Sequence, residues 1–309
     1  MTAATSGNAP QVEKGRGRAA SRARVRALTY IGLTVAACVA VLPLVFMIFS
    51  SLKTDDRIFA DLGTIKAFLP VGHLSLDNYS GVFERVPAAR FLLNSVVVTA
   101  AIVGLGLVVN SMIGFAIARM RWRGRSIILS FVLATLMVPF ETIAVPLVFW
   151  VAKLPSMQWV VDGFLIKQGM FNTYQVQILP FIANALAIFL FAQHFGDIPR
   201  EIDEAARVDG ASWWTIYRRI VVPLSGPTFA TVAIITMLPA WNSYLWPLMV
   251  VQEESMRPVS VGMQYFFQLN PVWGQIMAYG TLITLPVLII FVVFQRSFVQ
   301  SLAGTAVKG

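Results

Sequence analysis

The sequence predicts an all-α polytopic membrane protein with six transmembrane helices and both termini in the cytoplasm. Three observations predict it. The 309 residues are 57% hydrophobic and only 13% charged, and a soluble domain of this size carries roughly twice that charge. Six apolar runs reach or approach the length of about 20 residues that crosses a bilayer as a helix. The basic residues alternate between the intervening loops, as orientation in a membrane requires.

Residues 1–27 are small, polar and basic (Lys14, Arg16, Arg18, Arg22, Arg24, Arg26) and read as a disordered cytoplasmic tail. The first run, 28–52, is too long for a signal-peptide core and lacks a cleavage site, so it is an uncleaved span. Further spans are predicted at about 91–118, 126–151, 176–195, 226–250 and 275–296, within one membrane unit of residues 28–300. Gln177, Asn184 and Gln193 dilute the fourth. The interval 52–90, with Pro70, Gly72 and Pro87, is an extramembrane loop; 197–222 is too charged to span; 301–309 forms a cytoplasmic tail.

With the N-terminus inside, the inner segments hold 16 of the 24 Lys and Arg residues. The tightest cluster, Arg119-Met-Arg121-Trp-Arg123-Gly-Arg125, is a short turn that resists translocation. The net charge of +9 is spread over these loops and forms no continuous face, which excludes a nucleic-acid partner. Cys38 is the only cysteine, so no intrachain disulfide exists; His73 and His194 stand without metal-ligand company, and no metal site or catalytic cluster is predicted. No Gly-x-x-x-x-Gly-Lys-Ser/Thr occurs, so the chain does not hydrolyse ATP itself.

The informative stretch is 197–227. It reads as two short helices with a break. Asp197 caps the first, Pro199 lies in its first turn, and Glu201, Asp203 and Glu204 sit at the positive end of its dipole. Asp209-Gly210 is a turn, with Gly210 in the positive-φ position. The second helix carries Trp213, Trp214, Ile216, Tyr217 and Ile220 until Pro223 ends it. Ala205, Ala206 and Ala211 keep the knob thin, as insertion into a groove on a cytoplasmic partner requires. An amphipathic helix lying on lipid, with Trp213 and Trp214 at headgroup level, is the competing reading.

The string Glu204-Ala205-Ala206-x-x-Asp209-Gly210-Ala211, followed by Tyr217, Ile220, Pro223 and Pro227, closely resembles the EAA loop of ABC importer permeases. The resemblance extends over nearly the whole chain beyond residue 28 and is closest to the MalG-like branch of carbohydrate permeases. It runs through Ser51-Leu-Lys-Thr54, Asn94-Ser95, Met137-Val-Pro139, Asn172-Thr-Tyr174, Trp241-Asn242-x-Tyr244-x-Trp246-Pro247-Leu248 and Gly304-Thr-Ala-Val-Lys-Gly309. Phe140-Glu141 departs from the small and polar residues usual there, and the basic tail is longer than typical. The resemblance implies a type I ABC importer permease fold in the bacterial cytoplasmic membrane. It implies a coupling helix at 197–222, with Glu201, Glu204, Ala205, Ala206, Asp209, Gly210, Ala211, Trp213, Tyr217 and Pro223 against an ATPase. The implied partners are a second permease subunit, two ATPase subunits that bind ATP and Mg, and an extracytoplasmic solute-binding protein. The implied solute is a sugar or amino sugar, with glycerol 3-phosphate or a glycerophosphodiester as the alternative.

Within the spans, Glu141 is an acid inside an apolar run, hence a functional candidate; the alternative is a carboxylate in water where Pro139 and Pro146 break the helix. Asn242 with Trp241 and Tyr244 combines an amide with aromatic faces, the chemistry that holds sugars, or else forms an interfacial belt. Pro139, Pro146, Pro180, Pro239 and Pro286 are candidate hinges, and Gly104, Gly106 and Gly114 are candidate close-packing sites. A proton-coupled secondary transporter using Glu141 would carry an internal repeat and paired intramembrane charges. A membrane-embedded enzyme would carry a second intramembrane acid or a catalytic motif. The sequence offers none of these.

Overall fold

The computed structural model describes residues 11–160, 163–268 and 270–306. The chain is mostly helical. Three helices are long and apolar enough to cross a bilayer alone: Val25–Ser50 within α1 (Gln11–Ser50), α4 (Ala88–Arg119), and Trp273–Val293 within the last helix. Three bent pairs reach that length only jointly, so the count is three, or up to six if each pair is one span. α1 starts at Gln11, so residues 11–27, read as an unstructured tail, continue the first helix; residues 1–10 lie outside the described residues. Ala19, Ala20, Ala23 and the arginines among them are strong helix formers and extend a helix nucleated by the apolar run.

The loop expected at 52–90 is built from α2 (Asp55–Asp61), a 3-10 turn (Ile65–Phe68) and α3 (Asp77–Arg85). Lys53 is buried there, its Nζ donating to Asp61 Oδ2 at 2.8 Å and to the Lys66 carbonyl at 2.7 Å. The Asp55 carboxylate accepts from the N–H groups of Trp273 and Gly274 at 2.9 and 2.8 Å. It thereby satisfies the free donors that open the last helix.

The expected third span, 126–151, is not continuous. α5 (Arg125–Thr135) and α6 (Phe140–Val151) meet at 101°. Pro139 has no N–H to donate and its ring would strike the carbonyl four residues back, that of Thr135, where α5 stops. Beyond α6 the chain forms an antiparallel hairpin, β1 (Pro155–Val160) and β2 (Gly163–Gln168), with Met157 opposite Ile166. This corrects the all-α expectation.

The fourth run divides into α7 (Tyr174–Ile182) and α8 (Ala185–Asp197), bent by 41°. A buried amide repairs this break. Asn110 Nδ2 donates to the Ile182 carbonyl at 2.9 Å, and Asn110 Oδ1 accepts from Asn184 N–H at 2.9 Å. Asn184 then caps α8 by accepting from Ala187 N–H at 3.0 Å. Backbone groups freed within an apolar bundle must be satisfied by neighbours in this way.

Next come α9 (Arg200–Val208), α10 (Trp213–Ile216), a π turn (Tyr217–Val221), α11 (Val222–Leu224) and α12 (Gly226–Trp241). The helical stretch Trp213–Leu224 meets α12 at 80°. α12 holds 16 residues, not the 25 expected of a run to residue 250. It ends at Trp241, and α13 (Leu245–Val250) starts a new direction because Pro247 cannot continue a helix through Ser243. α14 (Val259–Gly262) and α15 (Trp273–Ala306) complete the chain. α15 thus includes residues 301–306 of the expected tail, while 307–309 lie outside the described residues.

α4 is central, packed against α7, α8 and α12. Of its three glycines Gly114 makes the closest helix contact: an added Cβ would lie 2.6 Å from Phe191 Cβ and 3.0 Å from Ala192 N. A Cβ added at Gly106 would lie 3.2 Å from the Ile182 carbonyl oxygen, also a tight approach, and one added at Gly104 would have nothing within 4 Å. Gly114→Leu is therefore expected to separate α4 from α8 and cost about 1–3 kcal/mol or more, while Gly104→Leu is tolerated; thermal unfolding of the purified protein distinguishes the two.

Candidate functional site

At one end of the bundle, α9 to α11 form the knob expected from the sequence. α8 extends to Asp197, so this residue ends a helix and does not cap the next; the residue before α9 is Pro199. α9 stops at Val208, Asp209 follows it, and Gly210 turns the chain with φ +82°. Ser212 begins the next helix by accepting from Thr215 N–H at 3.2 Å. Pro223 does not terminate that helix, which absorbs it through the π turn just before and continues to Leu224.

One face of α9 is bonded to the bundle and the other is free. Glu201, Glu204, Ala205 and Val208, at helical spacing i, i+3, i+4 and i+7, are all exposed, Val208 at 88%. Asp209 and Gly210 continue that exposed surface. Asp203, between them, is buried on the opposite side. Ala206, Ala211 and Trp213 pack onto a core of Phe115, Phe191, Phe195, Ile216, Tyr217 and Val221. The Arg207 guanidinium lies over the Trp213 ring at 5.1 Å, and Tyr217 is hydrogen-bonded through its hydroxyl to Ser111 on α4 at 2.8 Å. Trp213 is therefore a packing residue, while Trp214 is exposed at 55%.

Arg119, the last residue of α4, fastens the knob to the bundle. Its side chain is 1% exposed. Nη1 donates to the carbonyls of Phe195 at 3.2 Å and Ile198 at 2.6 Å, and Nη2 to that of Pro199 at 3.1 Å. Nε lies 2.8 Å from Asp203 Oδ2, an ion contact without hydrogen-bond alignment. One guanidinium thus closes the end of α8, the connecting turn and α9 together, a use of its rigid fork that lysine does not reproduce. In the sequence alone Arg119 reads as a topology signal and Asp203 as a charge at a helix dipole. The signal that could have joined them is an Arg ending one span and an Asp inside the following inner loop.

A second feature is a cavity of about 450 Å³ walled by α4, α6, α7, α12 and α13. Glu141 and Tyr244 line it, Tyr244 with 44% of its surface exposed. Trp241 and Asn242 do not. Trp241 is buried at 3% with its Nε1 donating to the Ile283 carbonyl at 3.2 Å. Asn242 Nδ2 folds back to the Leu238 carbonyl at 3.0 Å. Gln177, legible in the sequence only as a polar residue diluting a span, and Thr99, which the sequence does not single out, take their place: both line the cavity, and Gln177 Oε1 and Thr99 Oγ1 are buried with no hydrogen-bond partner. Phe140, Phe181 and Trp246 form an aromatic wall with centroids 5.4–6.2 Å apart. The lining holds no Lys or Arg. Unspent polar atoms beside aromatic faces suit a ligand rich in hydroxyl groups.

Comparison with known proteins assigns the chain to one class. Residues 110–304 match the family described as binding-protein-dependent transport system inner membrane component. The chain is 34% identical over 286 residues to the arabinooligosaccharides transport system permease protein AraQ of Halalkalibacterium halodurans, covering 91% of this chain and 96% of that one. It is 30% identical over 277 residues to the lactose transport system permease protein LacG of Rhizobium radiobacter, covering 89% and 94%. It is 32% identical over 296 residues to the sn-glycerol-3-phosphate transport system permease protein UgpE of Agrobacterium fabrum, covering 92% and 98%. A chain in the crystal structure of a bacterial ABC transporter involved in import of the acidic polysaccharide alginate superposes with a TM-score of 0.71 at 18% identity, over 94% of this chain and 99% of that one. The chain belongs to the binding-protein-dependent transport system inner membrane component family, and is a multi-pass permease subunit of an ABC importer.

Proposed function

We propose that this permease forms half of the translocation pathway for a sugar or amino sugar and couples it to ATP hydrolysis by partner ATPase subunits. The carrying observation is the exposed stripe Glu201–Glu204–Ala205–Val208 on a helix bonded from beneath by Arg119. In this reading the three bent pairs are three spans, giving six in the bacterial cytoplasmic membrane with both termini inside. α9 then lies in the cytoplasm and docks into a cleft of the ATPase, which binds ATP and Mg. A second permease completes the pathway, and an extracytoplasmic solute-binding protein delivers the solute. Glu201 and Glu204 supply the charge of the contact, Ala205 its close approach and Val208 its apolar centre.

Glu204→Lys is expected to abolish uptake while leaving the protein inserted at normal abundance, since the side chain is exposed and makes no structural bond. Normal uptake by this variant would overturn the coupling role.

For the solute, the charge of the cavity wall favours a neutral or amino sugar. Glu141 is its only acid and no cation lines it, whereas a phosphate ester would need Arg or Lys partners. The relatives named for arabinooligosaccharide and lactose transport support the sugar reading, and the one named for sn-glycerol-3-phosphate supplies the alternative. Competition assays on uptake by the assembled importer are expected to show inhibition by a sugar and none by glycerol 3-phosphate. Tyr244→Ala and Gln177→Leu are expected to lower the rate several-fold while ATPase association persists. Unchanged uptake by both would remove the cavity from the path.

A further inference from the structure

We propose that the loop between α4 and α5, together with the first residue of α9, forms a binding site for the phosphodiester headgroup of an anionic membrane lipid. The inference rests on the inner-side placement given above. Arg121, Arg123, Arg125 and Arg200 line, with Trp122, a shallow open surface pocket of about 400 Å³ whose lining holds no acid. Arg121 and Arg200 also line a neighbouring cavity of about 350 Å³ that contains Glu204. Among the described residues the ion pairs are Lys53–Asp61 and Arg119–Asp203. Arg121, Arg123 and Arg200 thus hold no carboxylate.

Orientation in the membrane requires only that basic residues lie on one side. It does not require arginines from segments about 75 residues apart in sequence to line one acid-free pocket. Like charges so gathered repel unless an anion joins them, and the guanidinium fork matches phosphate oxygens.

Two further features place that phosphate on a lipid. Trp122 is 38% exposed and held by its Nε1 donating to the Ala116 carbonyl at 3.0 Å, a ring suited to headgroup level. The helix that starts at Arg125, α5, buries no residue, and Ile127 and Phe131 are 74% and 72% exposed. An acyl chain below the headgroup would lie along that face. Basic pockets of this kind at the inner end of membrane helices recognise anionic headgroups. Because Arg200 is the first residue of α9, a bound headgroup also draws its charge away from Glu204 in the adjoining cavity.

The test is thermal unfolding of the assembled importer in detergent with added short-chain phosphatidylglycerol, phosphatidylcholine or inorganic phosphate. This readout requires no transport, so its failure is distinct from failure of the coupling reading. Phosphatidylglycerol is expected to raise the midpoint by several degrees and phosphatidylcholine to leave it unchanged. The double variant Arg123→Gln, Arg200→Gln is expected to lose the rise. The control Arg218→Gln, Arg219→Gln, two exposed cations outside both cavities, is expected to retain it. An equal rise with inorganic phosphate would assign the site to a soluble phosphate and overturn the lipid. A rise retained by the double variant, or lost in the control, would overturn the site. Loss of the ATPase subunits from the double variant in phosphatidylcholine alone would make the cluster a protein contact and overturn the proposal as well.

Discussion

Arg119→Ala is expected to lower the stability of the permease by about 3–5 kcal/mol, the cost of removing one partner of a buried ion pair. The substitution would leave the Asp203 carboxylate buried opposite an empty space and release the carbonyls of Phe195, Ile198 and Pro199. Arg119→Lys retains the charge, yet a single ammonium does not reach three carbonyls and a carboxylate in the geometry of the fork. Its penalty is expected to be smaller but substantial. Combining Arg119→Met with Asp203→Leu should recover part of the loss, since the remaining charge is gone. Thermal midpoints of the four proteins measure this. If Arg119→Ala unfolds at the wild-type midpoint, the fastening role is wrong. Uptake should fall more than stability predicts, because a loosened α9 no longer moves with α4.

Gly210→Pro is expected to abolish uptake in a protein that still inserts. The backbone at Gly210 has φ +82°, and proline is held near −65°. Proline would also remove the N–H that donates to the Arg207 carbonyl at 3.0 Å. The helix end therefore has to rearrange, and the stripe from Glu201 to Val208 changes its angle to the bundle. Gly210→Asn provides the contrast: asparagine tolerates the left-handed conformation better than other side chains, and nothing lies within 4 Å of a Cβ placed there. Uptake near wild type for Asn and none for Pro would attribute the effect to backbone conformation. Equal uptake by both would refute it.

Much of this architecture was legible because its signals are local. Apolar run length placed the starts of α4 and α15 within a few residues, and Asp209-Gly210 marked the turn after α9. What escaped was of two kinds. Proline penalties act at a definite distance: Pro139 was legible as a break in 126–151, but the run 226–250 did not carry that Pro247 denies the helix to Ser243. The interval 152–175 carries no predicted span, and the β1–β2 hairpin within it escaped because its six-residue strands, Pro155–Val160 and Gly163–Gln168, show no sustained alternation of polar and apolar residues. The other kind was long-range. Asn110 joins a break more than 70 residues away, and Arg119 meets Asp203 only after α8 has returned beside α4. For the cavity, Glu141 was legible as an acid inside an apolar run and Tyr244 as an aromatic face beside an amide. Trp241 and Asn242 were not separable from Tyr244, because the chain turns between Trp241 and Leu245. Gln177 had been read as a mere dilution of a span.

α4 begins beside α3 and ends at Arg119, and Ser95 and Thr99 on the same helix wall the cavity. From Thr99 to Arg119 the rod measures about 30 Å at 1.5 Å per residue, and it contains no proline. An unbroken helix of this length transmits a push along its axis or a rotation about it with little loss. The knob and the cavity are thereby two ends of one stiff shaft, and the prolines elsewhere in the bundle leave the surrounding helices as the parts that yield.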